Sequence, residues 1–96
     1  MAANHKLTGI IKGRVISGSS NQDDLATIIF TDGSKMAVKT AGSPTIASSG
    51  TIEKVRQQGT ELDLDFEDGS TLTIQTAEAT SCVMVRDKNG VMEYAD

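Results

Sequence analysis

The feature that most constrains this chain is a pattern that occurs twice. Residues 28–41 read Ile-Ile-Phe-Thr-Asp-Gly-Ser-Lys-Met-Ala-Val-Lys-Thr-Ala, and residues 64–77 read Leu-Asp-Phe-Glu-Asp-Gly-Ser-Thr-Leu-Thr-Ile-Gln-Thr-Ala. With Asp32-Gly33-Ser34 laid on Asp68-Gly69-Ser70, Phe30 meets Phe66, Ile28 meets Leu64, Met36 meets Leu72 and Val38 meets Ile74. Upstream the match is looser. Gly9 to Val15 is set against Gly50 to Val55, with about four extra residues in the Gly18–Asp24 stretch of the first copy. Two copies are too few for a solenoid. They define a duplicated half-domain: repeat 1 over 7–41, a linker over 42–50, repeat 2 over 50–77, and a hairpin over 82–94 outside the repeat. All of it fits one domain in a chain of 96 residues.

Within each copy the alternation specifies strands. Leu62, Leu64 and Phe66 alternate with Asp63, Asp65 and Glu67, and after the turn Leu72 and Ile74 alternate with Thr71, Thr73 and Gln75. Opposed residues of an antiparallel pair share a face. A three-residue loop, Glu67-Asp68-Gly69, sets Leu64 opposite Leu72 and Leu62 opposite Ile74. Its counterpart, Thr31-Asp32-Gly33, sets Ile28 opposite Met36 and Ala26 opposite Val38. Such loops end on a left-handed residue, so Gly33 and Gly69 are read as structural turn glycines.

The remaining segments are assigned the same way. A strand over 51–57 turns at Gln58-Gly59, pairing Val55 with Leu62, Arg56 with Glu61 and Lys54 with Asp63, and a bulge near Glu53-Lys54 corrects the face of Ile52. Leu7–Ser17 is expected as one long strand bent at Gly9 and Gly13, followed by a loop over 18–22. The linker around Pro44 is expected to cross the surface outside either sheet. Residues 76–81 have room for one helical turn. A loop at Asp87-Lys88-Asn89-Gly90 sets Val85 opposite Met92 and Val83 opposite Tyr94. Many short strands at this spacing define an all-β domain, either a small partly open barrel, SH3-like by analogy of pattern, or a two-sheet sandwich.

Composition removes several functions. Cys82 is the only cysteine and His5 the only histidine, the latter expected in an exposed tail, so neither a thiolate metal cluster nor a His-assisted nucleophile is expected. Cys82 is expected as a half-buried strand residue, and its solitude fits a reducing, cytoplasmic compartment. No secretory signal and no apolar run of the ~18 residues needed to span a membrane is read in the sequence. The glycines of 9–18 do not open a helix with phosphate-loop spacing. The acidic row Glu61, Asp63, Asp65 and Glu67 diverges along a strand and faces Lys54 and Arg56, so it is read as a solvated face without metal. No catalytic residue, metal or cofactor is expected.

Charge is divided unevenly. Residues 1–50 hold five cations and three acids, net +2, whereas residues 51–96 hold four cations and ten acids, net −6. A non-enzymatic binding or assembly module that self-associates is therefore expected, most simply as a homodimer or else with an unidentified protein partner, with Lys12, Arg14, Asp63 and Asp65 as the candidate interaction surface. The alternative is a small nucleic-acid-binding barrel using the basic first repeat. Against it stand a pI near 4.8 and only three aromatic residues, two of them expected in the core.

Overall fold

Alternating apolar residues dominate the computed structural model, which describes residues 4–42, 49–79 and 81–95. In chain order the elements are α1 (His5–Ile11), β1 (Val15–Gln22), β2 (Leu25–Phe30), β3 (Lys35–Lys39), β4 (Gly50–Gln58), β5 (Glu61–Phe66), β6 (Thr71–Gln75), β7 (Val83–Arg86) and β8 (Met92–Ala95). The strands form one antiparallel sheet of eight in the order β6-β5-β4-β1-β2-β3-β7-β8. It does not close as a sheet, and a single bridge between Thr40 and Thr76 joins the ends of β3 and β6. Of the two arrangements expected, this is the all-β, partly open one rather than a pair of separate sheets.

The two Asp-Gly-Ser hairpins follow the alternation. Ile28 lies opposite Met36, Ala26 opposite Val38, Leu64 opposite Leu72 and Leu62 opposite Ile74. Gly33 and Gly69 take φ of +90° and +91°, values that disfavour any side chain with a Cβ. In each loop the aspartate carboxylate accepts the serine N–H, at 2.8 Å for both Asp32–Ser34 and Asp68–Ser70. Phe30, Phe66, Ile28, Leu64 and Val38 are buried together in the core.

The backbone of β4–β6 repeats that of β1–β3 at a constant spacing: Leu25 corresponds to Glu61 and Lys35 to Thr71, each 36 positions on. The bulge between Ile16 and Gly18 recurs between Ile52 and Lys54. The looser upstream alignment, with its insertion, is thereby corrected: Val15 corresponds to Thr51, and residues 18–22 are strand rather than loop. Their polarity misleads because this end of β1 projects past the core, and its turn uses Asp23 and Asp24 at φ +51° and +62°, a conformation aspartate tolerates. The halves meet at Val15–Thr51 and Thr40–Thr76, where each residue faces its own counterpart.

Four further expectations are corrected. Residues 5–11 are helix, not strand, because Leu7, Ile10 and Ile11 follow helical spacing and the Asn4 side chain caps the Leu7 N–H at 3.0 Å. His5 is thus the exposed first residue of α1. The β4–β5 turn is Gly59-Thr60, with Gly59 at φ +57°, so Val55 faces Leu64, Arg56 faces Asp63 and Lys54 faces Asp65. This slip by two keeps every side chain on its expected face, and the bulge falls at Glu53. In the last hairpin Val85 faces Tyr94, not Met92, because the Asp87 carboxylate accepts the N–H groups of Asn89 and Val91 and a bulge follows. Residues 43–48 of the linker lie outside the described residues. Its ends do join the sheet, through Ala41 N–H to the Gln75 carbonyl and through Gly50 opposite Ile16. Residues 77–79 are bends, with Thr80 outside the described residues.

Helix α1 covers the stretch of β4 that β1 leaves. The Thr8 hydroxyl accepts the Val55 N–H at 2.9 Å, and Asn4 N–H donates to the Val55 carbonyl at 2.9 Å. Leu7 and Ile11 are fully buried. A seven-residue helix has little stability of its own, so this packing holds it.

Candidate functional site

Most of the charged residues singled out by sequence are bonded within the chain. Arg14 forms a two-pronged pair with Glu93 of β8, at 2.8 and 2.9 Å, with Asp32 at 3.7 Å. Asp65 takes both prongs of Arg56, at 2.7 and 2.8 Å, and accepts the Thr71 hydroxyl at 2.7 Å. The Arg56 fork holds its carboxyl down at about 2. Asp63 lies 3.5 Å from the same guanidinium, and its Oδ1 is buried without a hydrogen bond. Both aspartates are buried, which corrects the solvated acidic face expected from alternation. They lie on the central strand of three, under Arg56 on one side and the β6 threonines on the other. Glu61 and Glu67 remain exposed, as does Lys12 after α1. Lys12 and Arg14 are not brought together with Asp63 and Asp65.

Among the described residues no group of three or more His, Cys, Asp or Glu side chains is placed to hold a metal, and no helix is long and apolar enough to cross a membrane. Cys82 is buried ahead of β7, with Sγ against the Glu78 N–H and carbonyl at 3.3 and 3.4 Å.

The surface left over is the outer side of β2, β3 and β7. Here Thr27 faces Ala37, Ala37 faces Met84 and Met84 faces Ala95, a row of small and apolar side chains crossing four strands. Two adjoining cavities of about 310 and 290 Å³ share Ala37 and Met84 and make one trough along β3. One end is lined by Lys35, Arg86 and Lys88, the other by Leu25, Lys39 and Ala95. Leu25, 40% exposed, adds a large apolar side chain at that second end. Sequence reasoning placed Lys35 and Lys39 in the basic half. It missed Arg86, Lys88 and Met84, which come from the hairpin outside the repeat and join this face only because β7 pairs with β3.

Comparison with known proteins adds no guide: no family model, curated protein or solved structure matches the chain.

Proposed function

We propose that this protein is a non-enzymatic binding module that takes a protein segment into the trough on β2, β3 and β7. The observation that carries this reading is the continuity of the trough, an apolar floor of Ala37 and Met84 running between two charged ends. Binding sites on proteins are concave and largely apolar, with a few placed polar groups, and this trough has that makeup. Arg14, Asp63 and Asp65, singled out by sequence, are instead engaged by partners in their own chain, which leaves them little to offer another molecule.

A test is selection of a displayed random-peptide library on the immobilised protein, with counter-selection on Ala37→Arg. Arginine at that position fills the middle of the trough without touching the core. Enrichment of peptides that bind the wild type and not the variant is the expected result. A selection that enriches nothing, or only peptides indifferent to Ala37→Arg, sinks the reading.

A homodimer is the second reading, favoured by edge strand β8, where Met92 is 42% exposed and Val91, just before the strand, is 60% exposed. Pairing of two such edges across a two-fold is a common route to dimers. The trough itself does not suit that contact, because two copies facing each other there would set lysine against lysine. Light scattering over a dilution series, with Val91→Lys as the edge variant, distinguishes the two: a dimer abolished by Val91→Lys supports edge pairing.

A further inference from the structure

Lys35 and Arg86 stand directly opposite each other on β3 and β7. Lys88, in the following turn, lines the same end of the trough. Like charges opposed across antiparallel strands destabilise the pairing. No ion pair among the described residues offsets this. The ion pairs among the described residues belong to Arg14 and Arg56, and none reaches Lys35, Arg86 or Lys88.

The one carboxylate lining this end, Asp87, is turned into its own loop, its Oδ1 accepting N–H groups of Asn89 and Val91 at 2.8 and 2.9 Å. Arg86 donates Nη1–H to the Gly90 carbonyl at 2.9 Å, which anchors its head beside that loop. The other half of the molecule acts as a control. There the positions equivalent to Lys35, Ala37 and Lys39 are Thr71, Thr73 and Gln75, all neutral on the same backbone. The strand geometry therefore does not demand cations. Clustered like charges that no ion pair of the fold neutralises are the kind of local conflict expected at a functional position.

Given that the trough is the binding face, we infer that its occupant is an extended acidic segment of a partner protein. A carboxylate side chain is held among Lys35, Arg86 and Lys88, and an aliphatic side chain lies over Ala37 and Met84. Side chains on one face of an extended segment repeat at about 7 Å, as do the rows Lys35, Ala37 and Lys39 along β3. An acid, an aliphatic residue and a second acid at alternate positions thus match the trough end to end. Guanidinium and ammonium groups bind carboxylates through charge-assisted hydrogen bonds, which suits the anchoring end. A nucleic-acid strand would meet the same cations but also wants stacking surfaces, and among the described residues no aromatic side chain lines the trough.

The test titrates the ¹⁵N-labelled full chain with acetyl-Glu-Thr-Val-Thr-Glu-amide and with the same peptide carrying Gln for Glu. Inorganic phosphate and a mixed-sequence 12-nucleotide DNA strand are titrated in parallel. The acidic peptide is expected to shift the amides of Lys35, Ala37, Met84 and Arg86, and to bind about tenfold more weakly with Gln or at high salt. The double variant Lys35→Gln, Arg86→Gln is expected to show the same loss while keeping the wild-type amide spectrum elsewhere. Equal binding of both peptides overturns the acidic partner and leaves the trough reading standing. Absence of shifts with either peptide overturns the acidic partner, and the trough reading falls with it only if the Ala37→Arg selection also fails. Phosphate alone reproducing the shifts at equal affinity makes this a small-anion site, and tighter binding of DNA at the same amides makes it a nucleic-acid surface; either result overturns the proposal.

Discussion

Asp63 and Asp65 sit on the same face of β5, two positions apart, and share one guanidinium unequally. Asp65 holds both prongs of Arg56 and the Thr71 hydroxyl, whereas Asp63 keeps one buried oxygen without a partner. A buried polar atom left unpaired costs stability, and a charged one costs more. Asp65→Asn should therefore destabilise by about 1–3 kcal/mol, the usual range for losing charge-assisted bonds, and Asp63→Asn should cost distinctly less. Urea titration of the two variants checks the order. The pH dependence follows from the same pair. Asp65 titrates at about 2 when folded, below the 3.8 of a free aspartate. A group depressed on folding contributes stability that is fully present above its unfolded pKa and is lost as pH falls through its folded one. The Asp65 contribution is thus complete above about pH 4 and fades towards pH 2, so Asp65→Asn should lose less stability than wild type across that window.

Among the elements, α1 depends most on its neighbours. It has seven residues, buries Leu7 and Ile11, and supplies the Thr8 hydroxyl to the backbone of β4. Leu7→Ala opens a cavity beneath it and should cost about 2–5 kcal/mol, read as a lowered urea midpoint, with the α1 amides losing exchange protection along with those of β4. This helix also marks a limit of what the sequence makes legible. The Asp-Gly-Ser hairpins were readable down to their registers, because strict alternation and an obligatory left-handed residue leave one solution. For α1 the cues were present but short: Asn4 as cap, and Leu7, Ile10 and Ile11 at helical spacing. The glycines at 9 and 13 and the branched residues between them outweighed those cues in favour of a bent strand. The burial of Asp63 and Asp65 was not legible, because alternation reports the face a residue points to and not what its neighbours do over that face. The trough was half legible. Lys35 and Lys39 stand out in a basic stretch, but the β3–β7 pairing that adds Met84, Arg86 and Lys88 depends on contacts far apart in sequence.

At the scale of the molecule, the first and last elements are tied together. Arg14, just after α1, grips Glu93 of β8, and the Asn4 side chain donates to the Tyr94 hydroxyl at 3.1 Å. The uneven split of charge read from the sequence, basic first half against acidic second, is redistributed by folding. The acidic half sends Arg86 and Lys88 across to the basic face, while Arg56 covers the acids it leaves behind. The spacing of 36 residues between corresponding strands has one more use: the molecule serves as its own reference state. Gly33 and Gly69 share a turn, a φ within a degree and the same hydrogen bonds, and differ in surroundings. A Cβ on Gly33 would meet the Cβ of Lys88 at 3.0 Å, whereas one on Gly69 meets open space. Alanine at either site carries a similar backbone penalty of about 1–2 kcal/mol. Subtracting the Gly69→Ala loss from the Gly33→Ala loss, both taken from denaturant midpoints, cancels that penalty. What remains, expected near 1 kcal/mol, measures in isolation how firmly the Lys88 turn is seated beside the trough.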